Sequence, residues 1–222
     1  MYLCCNTKSF RLLRYKNQWN AEQILHEIVS TGAQGVIMET ELFPERAMYW
    51  TRMARENIAH KGMTLVALFR EADLTNDSSL KTEQSIADLQ EWVRIAALSS
   101  IPYVKIELNG AFLNNPQAAE AALRRVADYA GKYGTKVIFS SGNVITFHEL
   151  LGLIKPIGFS NCRLTAKAEN IEDSLKPWIQ EIIIEKYIPN LGGNGFITVE
   201  PVNKSKALDE IRATIASLKG TV

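Results

Sequence analysis

Eight short runs rich in β-branched residues recur along the chain, separated by segments whose apolar residues repeat every three or four positions. That alternation constrains the fold more than any other feature. A strand, a helix and another strand in succession favour parallel pairing, because each return crossover is long enough to hold a helix. The runs predicted as strands are Tyr2 to Asn6, Gly35 to Glu39, Thr64 to Arg70, Tyr103 to Leu108, Lys136 to Ser140, Asn161 to Thr165, Glu181 to Ile188 and Phe196 to Glu200. Helical stripes are clearest at Ile24, Leu25, Ile28 and Val29; at Ile86, Leu89, Val93, Ala96 and Ala97; at Ala122, Leu123, Val126, Ala127 and Ala130; and at Leu208, Ile211, Ile215 and Leu218. Weaker helices are predicted from Pro44 to His60, with the proline in the first turn, from Phe147 to Ile154, and from Ile171 to Gln180. Eight such units in 222 residues predict an α/β fold, a compact (β/α)8 TIM barrel spanning residues 1–222 as one domain.

One connection breaks the pattern. Only Pro189 to Gly195 separates the seventh run from the eighth, whereas a parallel crossover takes about a dozen residues or more. The helix between strands 7 and 8 is therefore expected to be missing. Ile182, Ile184, Ile197 and Val199 would then present an apolar outer face without its usual cover, which a second copy of the chain would bury in a homodimer.

Charge and cysteine content exclude several function classes. With 25 basic and 24 acidic residues the net charge is +1, so there is no electrostatic footprint for nucleic acid. No segment approaches about 18 consecutive apolar residues, and the N-terminus turns polar at Asn6, so neither a membrane span nor a signal-peptide core is expected and a cytoplasmic location follows. Cys4, Cys5 and Cys162 make a poor disulfide framework and lack the paired spacing of a zinc site, so each reads as a small buried hydrophobe.

Barrels of this class keep their chemistry at the C-terminal ends of the strands. Glu200 ends the last strand. On strand four, alternation sends Lys105 and Glu107 into the lumen and Val104 and Ile106 toward the helices, with Glu107 nearer the mouth. The same rule brings Glu39, Arg70 or Glu71, and Glu200 to the mouth from strands two, three and eight. Ser140 and His148 follow from strand five, and Arg163 and Lys186 from strands six and seven, as ligand-contacting candidates. Such a set of charges reads either as mutually satisfied ion pairs or as a substrate site. In the second case Glu107 and Glu200 are the general base and acid, their carboxyls raised by burial and lowered by Lys105. Lys105, Arg163 or Lys186 would then stabilise an enediolate oxygen. Lys105 and Lys186 also admit Schiff-base chemistry of the aldolase kind. The loop Asn190 to Gly195 could offer backbone N–H groups to a phosphate, or simply be a tight connection.

The order of units, the segment Ser85 to Ala96 running into Ile101-Pro102-Tyr103-Val104-Lys105-Ile106, and the closing Gly195-Phe196-Ile197-Thr198-Val199-Glu200-Pro201 resemble the xylose isomerase-like TIM barrels, a family of sugar and sugar-phosphate isomerases and epimerases that also includes endonuclease IV. The resemblance implies a divalent metal, Mn or Mg, held by Glu, Asp, His and Glu from strands five to eight, with two carboxylates moving a proton beside a carbonyl. The final glutamate matches Glu200. Strand five instead ends Phe139-Ser140-Ser141-Gly142-Asn143; the aspartate corresponds to Arg163 or Thr165 and the histidine to Glu185 or Lys186. Glu200 and Glu185 are the remnants of a metal site, and hydroxyls do not replace a carboxylate's charge. The endonuclease branch needs a histidine-rich zinc site, and the chain has only His26, His60 and His148. The expectation is an isomerase or epimerase of carbohydrate metabolism acting on a small sugar or hydroxy-carbonyl compound by carboxylate-mediated proton transfer. The alternative is a barrel without catalysis that binds a sugar-like ligand or a partner.

Overall fold

In the computed structural model, which describes residues 2–45, 47–74, 79–109, 115–142, 145–158, 160–186 and 195–219, eight strands close into a barrel. They are β1 (Tyr2–Asn6), β2 (Gly35–Glu39), β3 (Thr64–Asp73), β4 (Tyr103–Asn109), β5 (Lys136–Ser140), β6 (Cys162–Lys167), β7 (Ile179–Ile184) and β8 (Phe196–Val199). Each pairs in parallel with the next, and β8 returns to β1 with Cys4 opposite Thr198. The α-helices are α1 (Arg11–Asn17), α2 (Ala21–Thr31), α3 (Met48–His60), α4 (Ser79–Leu98), α5 (Pro116–Lys132), α6 (Phe147–Ile154) and α7 (Ala207–Lys219). None among the described residues is long and apolar enough to cross a membrane.

Three of the helices begin where side chains satisfy free backbone N–H groups. Asn20 with Gln23, and Thr146 with Glu149, form capping boxes at α2 and α6, and α5 starts with an Asn115 cap followed by Pro116. Burial then follows the apolar stripes. In α5, Ala119, Ala122, Leu123, Val126, Ala127 and Ala130 all face inward; their small size lets the helix lie close to the sheet, and burying Leu123 alone contributes about 1.5–3 kcal/mol. The main core fills the layer between sheet and helices, including Val104 and Ile106 of β4. A smaller cluster of Cys4, Ile37, Val66, Ala67, Phe69, Ile138 and Phe196, with Tyr103 against it, plugs the lumen. All three cysteines are free and buried, and burial pushes the Cys5 thiol up to about 12, which suits packing rather than reactivity.

Several boundaries differ from expectation for physical reasons. Pro44 lies outside α3, which starts at Met48. The segment expected as a helix from Ile171 to Gln180 is a 3₁₀ turn, Asp173–Trp178, interrupted by Pro177, which lacks the N–H that an α-helix interior needs. β7 consequently starts at Ile179 and ends at Ile184, earlier than predicted, leaving residues 185–195 to connect it to β8. The expected absence of a helix there falls on residues 187–194, outside the described residues, as does most of the glycine loop. The argument for a homodimer at strands 7 and 8 does not hold. Ile182, Ile184, Ile197 and Val199 are 5%, 1%, 4% and 0% exposed in the single chain, packed into its own core.

Candidate active site

The lumen floor is a buried ion pair. Lys105 and Glu181 are 1% and 0% exposed, with Lys105 Nζ 2.8 Å from Glu181 Oε1 and from Oε2. The hydroxyls of Thr198 and Thr165 donate to Oε1 and Oε2, each at 2.6 Å. Glu181 opposes Thr165 of β6 and Phe196 of β8, so the two neighbouring strands supply its hydroxyl partners, while Lys105 reaches it from β4 across the lumen. The result is the satisfied arrangement that a buried charge requires. Of the two readings the sequence left open for Lys105, this is the ion pair, and Lys105 does not line the cavity above it.

Above the floor, the ends of β2, β3 and β4 carry Glu39, Glu71 and Glu107, and the segment after β1 supplies a base to each. The 3₁₀ turn Thr7–Phe10 is capped by Asn6, whose side chain accepts from the Lys8 N–H at 3.1 Å. This fixes Lys8, whose Nζ lies 2.5 Å from Glu107 Oε1, 3.3 Å from Glu71 Oε1 and 5.2 Å from the Phe69 ring centroid. Arg11 bonds Glu39 and reaches Glu71 at 2.6 Å; Arg14 stands 3.8 Å from Glu39. Burial pushes the Glu39 carboxyl up against the opposing pull of Arg11, and its Oε2 has no hydrogen-bond partner among the described residues.

Glu200 lies just beyond β8, its N–H donating to the Ile184 carbonyl at 2.9 Å. It opens onto a cavity of about 720 Å³ at the C-terminal mouth, whose polar wall includes Lys8, Glu107, Ser140, His148, Lys167 and Glu185. Among the described residues, Glu39, Glu71, Glu107, Glu181 and Glu185 each have a Lys or Arg within ion-pair distance, and Glu200 does not. Burial pushes its carboxyl above the usual range; Lys105 and Lys8 pull it down, while Glu181 and Glu107 push it up.

The structure brings Glu107, Ser140, His148, Glu185 and Glu200 to this one cavity. It separates others. Arg70 faces outward, bonding Glu41 at 2.5 Å and Asp88 of α4 at 3.1 Å, because an extra residue in β3 at Val66 sets Glu71 on the inner face. Arg163 points into the lumen at the opposite end of the barrel, opposite Ile138 and close enough to Tyr103 to lower its phenol against burial. Lys186 is exposed beyond β7 and outside the cavity wall. Glu39 is held by α1, away from the wall. Sequence reasoning missed Lys8, Lys167 and Glu181. β6 runs two residues past Thr165, so Lys167 shares the inner face and meets Glu185 at 3.5 Å; the strand alternation that placed Lys105 would have found Lys167 with the correct end of β6, and Glu181 within the predicted seventh strand.

The donor set does not fit a divalent metal. Among the described residues no three His, Cys, Asp or Glu side chains converge; Glu107 is hydrogen-bonded to the Lys8 ammonium, and the Lys167 ammonium stands 3.5 Å from Glu185. What the cavity does offer is one unpaired carboxyl, a fixed ammonium and several hydroxyls.

No family model and no curated protein sequence matches the chain. Solved structures do. A probable 3-DHS dehydratase, AsbF, from Bacillus anthracis superposes with a TM-score of 0.76 at 14% identity, covering 99% of both chains. D-psicose 3-epimerase from Clostridium cellulolyticum H10 gives 0.75 at 10% identity, covering 100% of this chain and 99% of that one. The IolI protein, determined with a zinc atom, gives 0.74 at 13% identity over 100% and 99%. Coverage is end to end, and the chain itself closes eight parallel strands, so it has the fold of the xylose isomerase-like TIM barrels.

Proposed function

We propose that the protein is an isomerase or epimerase-like barrel that moves a proton on a small sugar or hydroxy-carbonyl compound. The observation that carries this reading is the state of Glu200, an unpaired carboxyl on the cavity wall that burial lifts toward the pH range where it can both take and return a proton. A cavity of about 720 Å³ falls within the range of about 300–1,000 Å³ usual for small-molecule sites. Glu200 would abstract the proton beside the carbonyl, and Glu107 is the second carboxylate on the same wall. Lys8, fixed by Glu107 and Glu71, would face the oxygen on which negative charge develops, the task that the sequence alone assigned to Lys105, Arg163 or Lys186. The fold neighbours include a D-psicose 3-epimerase and an L-ribulose 3-epimerase, whose names fit this substrate class. Schiff-base chemistry at Lys105 loses support, since its ammonium is locked on Glu181 beneath the cavity.

The test is Glu200→Gln, assayed with a panel of ketoses, aldoses and hydroxy-carbonyl acids by solvent deuterium exchange. Loss of exchange by about 100-fold or more with binding retained supports the reading. Binding without exchange by the unaltered protein would favour a ligand-binding barrel, a reading consistent with the number of inner carboxylates already neutralised by internal bases.

A further inference from the structure

The inner face of this barrel carries its cations covalently. Lys105 neutralises Glu181, Lys8 neutralises Glu107, Arg11 bridges Glu39 and Glu71, and Lys167 meets Glu185. The last pair lies on the same cavity wall as the unpaired Glu200. Lys167 closes β6 opposite Ile183 of β7; Glu185 lies two residues further along the same face; and Glu200 follows Val199, which opposes Ile184. Adjacent strand ends therefore present Lys167, Glu185 and Glu200, and all three line the cavity. A hard divalent cation needs several anionic oxygens. Here the first position supplies an ammonium, which both removes a ligand and neutralises the second. The chain holds little in reserve: outside the described residues, Asp77 is the one Asp, Glu, His or Cys.

We propose that Lys167 keeps divalent metal out of this cavity, its ammonium occupying with Glu185 the place a cation would take beside Glu200. The proposal rests on the reading of this cavity as the ligand site and not on which reaction occurs there. A ligand's electronegative oxygens would then meet Lys8 and Lys167 in place of a metal.

Thermal unfolding of chelator-treated protein with Mn²⁺, Co²⁺ and Zn²⁺ tests it, backed by calorimetric titration. The unaltered chain is expected to give no saturable shift with any of the three ions. Lys167→Asp completes a row of three carboxylates and is expected to gain a saturable rise of about 5 °C at an ion concentration roughly 100-fold above its dissociation constant. That rise should disappear in Lys167→Asp/Glu185→Gln. Lys167 is 54% exposed, so its replacement leaves the core intact; should the aspartate variant fail to fold, Lys167→Glu is read in the same way. A saturable shift in the unaltered protein overturns the proposal, and so does an acidic variant that folds but ignores all three ions. The readout is metal binding without substrate, so this proposal can fail while the Glu200 reading stands, and the reverse.

Discussion

Replacing Lys105 with Met would strand a charge at the centre of the barrel. Glu181 is 0% exposed, and the change removes its cation while keeping most of the buried volume. The hydroxyls of Thr165 and Thr198 remain as donors, but neither carries charge. Removing one partner of a buried pair costs about 3–5 kcal/mol. At about 2–4 °C per kcal/mol for a domain of this size, Lys105→Met should melt roughly 6–20 °C lower. The double variant Lys105→Met/Glu181→Gln removes the stranded charge and keeps a polar group for the two hydroxyls, so it should recover more than half of the loss. Urea unfolding of the parent, both single variants and the double variant gives the coupling directly. A Lys105→Met protein within about 1 kcal/mol of the parent, far below the usual cost of breaking a buried pair, would refute the structural role and return Lys105 to the list of chemically available lysines.

Two further outcomes follow from geometry and burial. Gly35→Ala would place a Cβ 2.6 Å from Cys4 Sγ and 2.8 Å from Val66 Cγ2, so it should destabilise the fold by about 1–3 kcal/mol in chemical denaturation, and a neutral result would mean that the lumen is looser than described. Glu200→Gln should raise stability near pH 7. Burial lifts the folded carboxyl above its unfolded value, so the folded state holds the extra proton between the two and loses stability as pH rises through that window; a glutamine bears no such cost. The gap should close by about pH 4, and melts in which Glu200→Gln is the less stable protein at neutral pH would contradict the assigned environment.

Strand alternation made part of this site legible. Val104 and Ile106 are apolar and pack against helices, which forces Lys105 and Glu107 inward, and Glu200 follows from its place at the end of the last strand. Alternation gives the face of a side chain but not its height. Arg163 therefore shared the inner face with Lys167 yet belongs to the opposite end of the barrel. Arg70 and Glu71 could not be told apart because the extra residue at Val66 shifts the β3 register, and a bulge leaves no mark in an apolar run. Lys8 was invisible for a different reason: it sits in a 3₁₀ turn whose only local signal is the Asn6 cap, and its partners lie 63 and 99 positions away. The apolar faces of β7 and β8 were expected to lack cover because the connection between them is short, yet Ile182, Ile184, Ile197 and Val199 pack into the core of the single chain.

Glu200 is kept free and lifted by its surroundings while Glu39, Glu71, Glu107 and Glu181 are tied to bases. Carbon-13 NMR titration of glutamate side-chain carboxyls, with Glu200 assigned by its loss in Glu200→Gln, reads this difference. The Glu200 midpoint should be displaced above the ordinary glutamate value, and displaced further when Lys8 is replaced by Met, since Lys8 pulls it down. A midpoint at or below the ordinary value would mean that Glu200 is solvated or paired like the rest, and would remove the basis for assigning it the proton transfer.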